Sequence, residues 1–199
     1  TLPNGSKAEG QAVLLHACCA PCSAAIVECM LRNGMKPTVF FSNSNIYPQK
    51  EYEIRKHELI RFLEAQGVPY VEDEYDHEIW RCAVKGLENE PERGSRCSVC
   101  FQFRLTRAAL YAQEHGFHLL TTTLASSRWK NIKQIDMAGH IAVETCPDVE
   151  WWDMNWRKGG LQNRRGELLR INEFYNQLYC GCEFSLASSE AMRRSNPTD

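Results

Sequence analysis

The chain has 199 residues, of which 43% are hydrophobic, and its formal net charge is −2. No apolar run reaches the roughly 18 residues that a membrane-spanning helix needs, so we expect no contact with a membrane. The small net charge excludes a uniformly basic nucleic-acid-binding surface, and any such contact would need a local basic patch.

The predicted elements alternate between strands and helices along the chain. Strands are predicted at 12–15, 39–41, 69–71, 118–124 and 149–152, and helices at 24–32, 49–66, 75–87, 98–115, 131–144 and 161–176. This alternation predicts βαβ units and therefore a Rossmann-like, three-layer α/β/α fold with a mainly parallel sheet.

The length predicts one domain, because domains average roughly 150 residues. We expect a polar N-terminal tail at 1–10, a single α/β domain at 11–185, and a polar, loose C-terminal tail at 186–199. Residues 1–10 lack the apolar core of a secretory signal, which favours the cytoplasm. In that reducing compartment, the close spacing of many of the ten cysteines indicates metal binding or catalysis and not disulfides.

The first cysteine cluster lies in HACCAPCS at residues 16–23, on the turn between the first strand and the first helix. Such a turn lies at the carboxyl end of a parallel sheet, where ligands bind. Pro21 suits the first turn of a helix, and Cys22 then lies near its N-terminus, where the dipole favours the thiolate. Because Cys18 and Cys19 are adjacent, we expect their thiolates to serve two different metals.

Two more clusters bring the number of clustered thiols to seven. They are the CxxC pair Cys97 and Cys100, at the start of a long predicted helix, and the CxC pair Cys180 and Cys182. A structural zinc ion or a [4Fe–4S] cluster uses up to four thiolates, which leaves about three. An iron–sulfur cluster beside a second metal accounts for this number, and two zinc ions are the alternative.

Three isolated cysteines and one histidine are weaker candidates for metal ligands. The isolated Cys29, Cys82 and Cys146 are interpreted as small buried hydrophobic residues. His16, next to the first cluster, could be a metal ligand, a partner of one, or an ordinary buried histidine.

Two polar stretches after predicted strands are typical of nucleic-acid contacts. The first contains Arg128, Trp129, Lys130 and Asn131, and the second contains Trp156, Arg157 and Lys158 followed by Arg164 and Arg165. Arginine and lysine fit phosphates, and tryptophan can stack on an unpaired base. The first strand–helix turn has no dinucleotide, P-loop or ATP-pyrophosphatase motif, so the sequence offers no support for NAD or ATP binding.

Six motifs in order resemble the QueH-type epoxyqueuosine reductases over residues 12–185. They are HACCAPCS at 16–23, IYPxxEYxxR at 46–55, RCxxC at 96–100, SRxKN at 127–131, WRKGG at 156–160 and YCGCEFS at 179–185. Each motif alone is modest, whereas six in this order are highly specific.

The resemblance implies the last, cobalamin-independent step of queuosine formation. The enzyme would reduce the epoxide on the cyclopentane ring of epoxyqueuosine, at the wobble base of tRNA, to an alkene. The implied fold is similar to the adenine-nucleotide α-hydrolase group, with cysteines in place of the ATP loop. The seven clustered cysteines would be the metal-binding set of the 11–185 domain, with a [4Fe–4S] cluster and a second metal, expected to be a mononuclear iron.

Removing an epoxide oxygen needs two electrons, two protons and activation of the C–O bond. A ferredoxin or flavodoxin is the general expectation for the electron donor. Asp76 and Asp153 are candidates for the general acid, with Tyr47 behind them.

Two other functions are open at this point. An iron–sulfur desulfidase or tRNA thiolation enzyme could use a spare thiol or an open iron to carry sulfur, although the missing ATP loop argues against thiolation through adenylation. A zinc-stabilised RNA-binding module would need no catalysis and would be colourless, whereas a cluster-bearing protein is brown.

Overall fold

The computed structural model describes residues 2, 3, 5 and 7–195. Its strands are β1 Ala12–Ala17, β2 Lys36–Phe41, β3 Tyr70–Glu72, β4 Leu119–Thr122 and β5 Glu150–Trp151. Its helices are α1 Ala20–Arg32, α2 Gln49–Gln66, α3 His77–Ala83, α4 Ser95–Glu114, α5 Ile132–Val143, α6 Leu161–Ile171 and α7 Glu183–Ser195. A 3-10 turn, Thr123–Ser126, follows β4.

The strands form one five-stranded parallel sheet in the order β3-β2-β1-β4-β5. The chain builds outward from β1 to β3 on one side and then from β4 to β5 on the other. The order therefore reverses between β1 and β4, and ligands bind in the crevice at such a switch point. The turn after β1 carries the first cysteine cluster, so that cluster lies at the switch point.

The central strand β1 separates two apolar layers. Val13 and Leu15 belong to one buried cluster, and Leu14 between them belongs to another, as expected when successive side chains point to opposite faces of a sheet. All three side chains are fully buried. Helices thus cover both faces, which confirms the predicted α/β class with a parallel sheet. Each of the described helices is too short or too polar to cross a lipid bilayer.

Several element boundaries differ from the prediction. Helix α1 begins at Ala20, four residues before the predicted start, because Pro21 is compatible with its first turn and Cys19 is the extended N-cap. Strand β4 ends at Thr122, where the 3-10 turn begins. Helix α3 covers only His77–Ala83 of the helix predicted at 75–87.

The two predicted tails contain ordered residues. The stretch after residue 185 was predicted to be loose, but it is helical to Ser195. Phe184 anchors this helix, since its ring packs near Trp80 and lies under the Arg96 guanidinium at 4.5 Å. At the other end, Leu2 is buried in a core cluster. Residues 1, 4, 6 and 196–199 of the predicted tails lie outside the described residues.

Gly139 lets α5 approach the sheet closely. A Cβ atom there would lie 2.1 Å from the Trp151 ring. We expect Gly139→Ala to lower the free energy of unfolding by about 1–3 kcal/mol, since the ring or the helix would have to move. The control is Gly166→Ala in α6, where an added Cβ would meet no described atom within 4 Å. That variant should gain about 0.5–1 kcal/mol. Urea denaturation measures both, and equal effects would contradict the close-packing argument.

Candidate metal centre

Three thiols converge in the turn between β1 and α1. The Sγ atoms of Cys18, Cys19 and Cys22, here called the thiol trio, all lie within 4.8 Å of one another, and the three residues are buried. The Sγ atoms of Cys18 and Cys19 are 3.7 Å apart. The Cys18 N–H donates to Thr123 Oγ1 at 3.2 Å, which fixes the turn to the end of β4. The structure therefore brings the two adjacent thiols together, whereas we expected them to serve different metals.

Negative charge in the thiol trio is favoured at Cys18. Hydrogen bonds from Cys19 and Cys22 lower its pKa well below the ordinary value, and the charges of Lys130 and Arg104 act in the same direction against burial. The pKa of Cys22 is raised, first because of its hydrogen bond to Cys18. This differs from the expectation that the helix dipole favours a thiolate at Cys22.

The other four clustered cysteines form a second group, here called the thiol quartet: Cys97, Cys100, Cys180 and Cys182. Burial raises the pKa of Cys97 to about 11 and that of Cys182 to about 12, and the nearby thiols of Cys180 and Cys100 add to both shifts. Burial also raises the pKa of Cys100, and Cys180 again contributes. Cys182 packs against the apolar cluster that contains Cys100, so the CxC pair lies beside the CxxC pair, although about 80 residues separate them in the chain.

A buried ion pair on α2 holds the CxC segment in place. The Arg55 side chain is only 2% exposed and its guanidinium lies 2.8 Å from Glu51. It also donates to the carbonyl oxygens of Cys180 at 3.0 Å and Tyr179 at 3.2 Å. The Tyr175 hydroxyl donates to the second carboxylate oxygen of Glu51 at 2.9 Å. Glu51 and Arg55 are the E and R of the IYPxxEYxxR motif, and their spacing of four residues was the only sequence signal for this role.

A loop before α4 holds the CxxC pair. The Arg93 N–H donates to Cys97 Sγ at 3.2 Å, with Arg93 in the left-handed region at φ 68°. This conformation is uncommon for a residue with a side chain, and such residues cluster at functional sites. Arg93 Nε donates to the Trp129 carbonyl at 2.8 Å, so this loop is tied to the first predicted basic stretch.

That basic stretch runs beside both thiol groups. Lys130 is half-buried. Burial opposes its charge, but the thiols of Cys180, Cys18 and Cys22 outweigh burial and raise its pKa. Lys130 therefore lies near the thiol trio and near Cys180 of the thiol quartet.

The neighbours of Lys130 have different environments. Trp129 is 67% exposed, and the Arg128 guanidinium stacks on its ring at 5.0 Å. Asn131 caps α5, since its Oδ1 accepts from the Lys133 N–H at 3.0 Å. The ring of Trp129 is thus open to a ligand, whereas the Asn131 side chain is already used within the fold.

The second basic stretch is only partly accessible. Lys158 is exposed and Arg165 is half-buried, while Arg157 donates to the Lys130 carbonyl at 2.8 Å. Trp156 is 2% exposed, and its Nε1 donates to Thr121 Oγ1 at 3.3 Å. Stacking of Trp156 on a base is therefore wrong as a prediction, because its ring is part of the core.

The structure gives the three predicted acids separate positions. Asp76 is the N-cap of α3 and accepts from the Ile79 N–H at 2.9 Å. Asp153 is exposed just beyond β5, at the edge of the sheet. Tyr47 is 42% exposed and its ring packs against His77 at 5.2 Å. Of the three, Tyr47 is tied to the CxC segment, because its N–H donates to the Gly181 carbonyl at 2.9 Å.

His16 is a structural residue. The Thr122 hydroxyl pairs with its Nδ1 at 2.8 Å, and its Nε2 pairs with the Ser42 carbonyl at 3.1 Å. Burial, assisted by the charge of Arg104, lowers its pKa to about 3. With both ring nitrogens engaged, His16 fits the open alternative of a buried neutral histidine. Among the isolated cysteines, Cys146 is buried as predicted and Cys29 is half-buried. The prediction that Cys82 is buried is wrong, because Cys82 lies on the solvent-exposed side of α3 while Trp80 faces the core.

Asp136 on α5 should make stability depend on pH. Burial raises its pKa from 3.8 to about 6, and the nearby Asp153 carboxylate adds to this shift. The folded protein therefore binds this proton more tightly than the unfolded chain, and the resulting stabilisation is lost as the pH rises through about 6. We expect Asp136→Asn to raise the melting temperature at about pH 7.5 and to have little effect near pH 4.

Melting curves between those pH values test the role of Asp136. As a second variant, Asp153→Asn should lower the midpoint of the pH dependence, because it removes the neighbouring negative charge. A loss of stability in Asp136→Asn that is the same at every pH would contradict the expectation.

Comparisons with known proteins agree with this site. The family model described as "Epoxyqueuosine reductase QueH" matches residues 13–188. A protein of that name from Acinetobacter baylyi is 48% identical over 187 residues, which is 94% of this chain and 86% of the relative. The corresponding protein of Histophilus somni is 47% identical over 98% of this chain and 79% of its own length. That of Thermotoga maritima is 34% identical over 87% of this chain and 90% of its own length.

The match spans the segments that bring the thiol trio and the thiol quartet to the carboxyl edge of the sheet. The matched residues also include the ion pair on α2 and the stretch around Lys130, beside the two thiol groups. The chain therefore belongs to the QueH family of epoxyqueuosine reductases, which are oxidoreductases.

Proposed function

We propose that this protein reduces the epoxide of epoxyqueuosine at the wobble position of tRNA, giving queuosine. The seven clustered cysteines would hold a [4Fe–4S] cluster and a mononuclear iron. The observation that carries the proposal is that three distant cysteine segments meet, with the thiol trio at the switch point of the sheet. Sulfur ligands suit iron–sulfur clusters, and family membership supports the reaction.

We assign the thiol trio to the single metal ion. Thiolates on one tetrahedral ion with bonds of about 2.3 Å lie about 3.8 Å apart. The 3.7 Å between Cys18 Sγ and Cys19 Sγ fits this arrangement. In a cluster each thiolate binds a different iron, which requires wider spacing.

We assign the thiol quartet to the cluster, because a [4Fe–4S] cluster takes four cysteines. One further observation supports a charged ligand there. Trp80 is fully buried, and its Nε1 has no hydrogen-bond partner among the residues that the structure describes, although it packs in the same apolar cluster as Cys100 and Cys182. A thiolate at Cys100 would accept this N–H.

The cluster would supply single electrons and the second metal a Lewis acid for the epoxide oxygen. Overall, the substrate gains two electrons and two protons, both C–O bonds break, and water and an alkene form. A one-electron carrier of the ferredoxin or flavodoxin type would supply the electrons. Lys130, near both thiol groups, is better placed to give a proton to the departing oxygen than Asp76, which caps α3, or Asp153, at the sheet edge.

Anaerobic turnover tests the proposed function. Protein purified without oxygen is incubated with a reductant and tRNA carrying epoxyqueuosine, and nucleosides are analysed by mass spectrometry. We expect queuosine to form, and iron and sulfide to be present in the protein. Stoichiometric zinc without sulfide, and no product, would instead favour the zinc-stabilised RNA-binding module. Sulfur transfer to tRNA with the epoxide intact would favour the desulfidase or thiolation enzyme.

The tRNA surface can be tested through two exposed residues. Lys158→Ala should weaken tRNA binding and reduce its salt dependence by about one unit of slope, as expected for a lost phosphate contact. Trp129→Ala should weaken binding by about 1–3 kcal/mol without changing the slope, because stacking is not ionic.

The control for both variants is Lys36→Ala, an exposed lysine at the amino end of β2, away from the site. Binding isotherms at several salt concentrations measure all three variants. If Lys36→Ala and Lys158→Ala behave alike, the second basic stretch is not part of the interface.

A further inference from the structure

Arg104 on α4 is a buried cation whose hydrogen-bond partners are neutral. It is 2% exposed. Its Nε donates to the Ser42 carbonyl at 3.3 Å, and its second nitrogen donates to the Asn43 side-chain oxygen. Within the described part of the chain, Arg104 forms no ion pair with a carboxylate. By contrast, the buried Arg55 pairs with Glu51, and Arg107, one turn further along α4, pairs with Asp73.

The carboxylate of Asp73 is already neutralised. Asp73 accepts from the Ser42 hydroxyl at 2.5 Å, and Ser42 is also the residue whose carbonyl accepts from Arg104. Both oxygens of Asp73 are occupied by Arg107. The other titratable neighbour, His16, is neutral because of burial and the Arg104 charge. A buried guanidinium cannot lose its proton, and leaving it unpaired costs several kcal/mol.

The groups that can supply negative charge to Arg104 are thiols, one from each group. Arg104 helps to lower the pKa of Cys18, after the hydrogen bonds from Cys19 and Cys22. It also acts on Cys100, where burial is the larger cause and raises the pKa. The contacts of Arg104 agree with this placement. Arg104 lies one helical turn after Cys100 on α4. Its partner Asn43 donates to the Ala17 carbonyl at 2.8 Å, directly before Cys18. Arg104 thus lies beside both the thiol trio and the thiol quartet. Metal binding requires thiolates, and a metal–thiolate centre of this composition is net negative.

We infer that Arg104 is the internal counter-charge of the metal centre and serves both thiol groups. It is a positioning residue that acts through Cys18 and Cys100. This inference rests on the proposed function in one respect, namely that these thiols bind metal. Arg104 should raise the reduction potential of the centre, because each added electron increases the negative charge that the guanidinium stabilises.

A role of Arg104 as counter-charge predicts a result that a purely structural role does not. In the metal-free protein no metal holds the sulfur atoms of Cys18 and Cys100 as thiolates, so the burial of Arg104 is less well compensated. In the metal-loaded protein it faces thiolates. Arg104→Met should therefore lower the melting temperature of the loaded protein, yet leave that of the metal-free protein unchanged or higher. Metal affinity should fall roughly 10- to 100-fold, as for other residues that support metal ligands.

The experiment compares Arg104→Met, Arg104→Lys and the control Arg107→Met, each in metal-free and anaerobically loaded form. Melting temperatures, iron retained against a chelator, and the reduction potential from a spectroscopic titration are measured. We expect Arg104→Met to shift the reduction potential to more negative values. Arg104→Lys should have a potential close to that of the wild-type protein. Arg107→Met should lower both melting temperatures equally and leave the potential unchanged, because its partner is Asp73.

Equal thermal losses in both forms of Arg104→Met, with an unchanged potential, would overturn the inference. If Arg104→Met does not fold, Arg104→Lys and Arg104→Gln are compared. An unchanged reduction potential in both would likewise overturn the inference. Wild-type protein that takes up no metal would overturn the proposed function itself. Metal uptake by the wild-type protein is measured first, so the two failures are distinguishable.

Discussion

Cys97→Ala and Cys100→Ala should each remove the iron–sulfur cluster and its colour completely. Both belong to the thiol quartet that we assign to the cluster, and a cluster bound by three thiolates in a site built for four is readily lost. Cys22→Ala should instead keep much of the cluster absorbance and lose epoxide reduction, because Cys22 belongs to the thiol trio. Iron and sulfide per chain and single-turnover product are measured for each variant.

The isolated cysteines provide the matched controls. Cys146→Ala and Cys29→Ala should retain cluster and activity, with a packing cost of about 1 kcal/mol. The same measurements on Cys180→Ala and Cys182→Ala test whether the whole quartet behaves alike. The assignment is wrong if every variant of the seven cysteines loses all its iron together, or if Cys29→Ala abolishes turnover in a folded protein.

Arg55→Ala should be among the most destabilising substitutions outside the cysteines. It would leave the buried Glu51 carboxylate unpaired and remove the donors to the Tyr179 and Cys180 carbonyl oxygens. Breaking one side of a buried ion pair costs about 3–5 kcal/mol. That is a large part of the roughly 5–15 kcal/mol by which a domain is stable. We also expect the cluster to be lost, because the CxC segment would no longer be held beside the CxxC pair.

Arg61→Ala is the matched control for Arg55→Ala on the same helix. Arg61 pairs with Glu58 and donates to the Asn172 carbonyl at 2.9 Å, but its side chain is 57% exposed. Its loss should cost less than about 1 kcal/mol. Urea denaturation and iron content are measured for both variants. Similar losses in the two would show that the burial of Arg55 does not matter.

Local sequence patterns predicted much of the fold. The α2 helix at 49–66 was predicted with its observed ends, because Pro48 and Gly67 bound it. Alternation of apolar strands and amphipathic helices predicted the parallel sheet. Its carboxyl edge was identified as the place for Cys18, Cys19 and Cys22. These features depend on residues within a few positions of one another, where side-chain periodicity and turn chemistry act.

The sequence by itself also determined which cysteines belong to the site, since clustered spacing distinguished seven of the ten. What only the tertiary structure decided is how these seven are grouped and what compensates their charge. The contact between Arg55 and Cys180 spans 125 residues, and Arg104 reaches Asn43 across 61. No local pattern encodes such distances. Burial of Trp156 and the neutral state of His16 likewise arise from neighbours on other strands, because desolvation depends on everything packed around a group and not on its sequence neighbours.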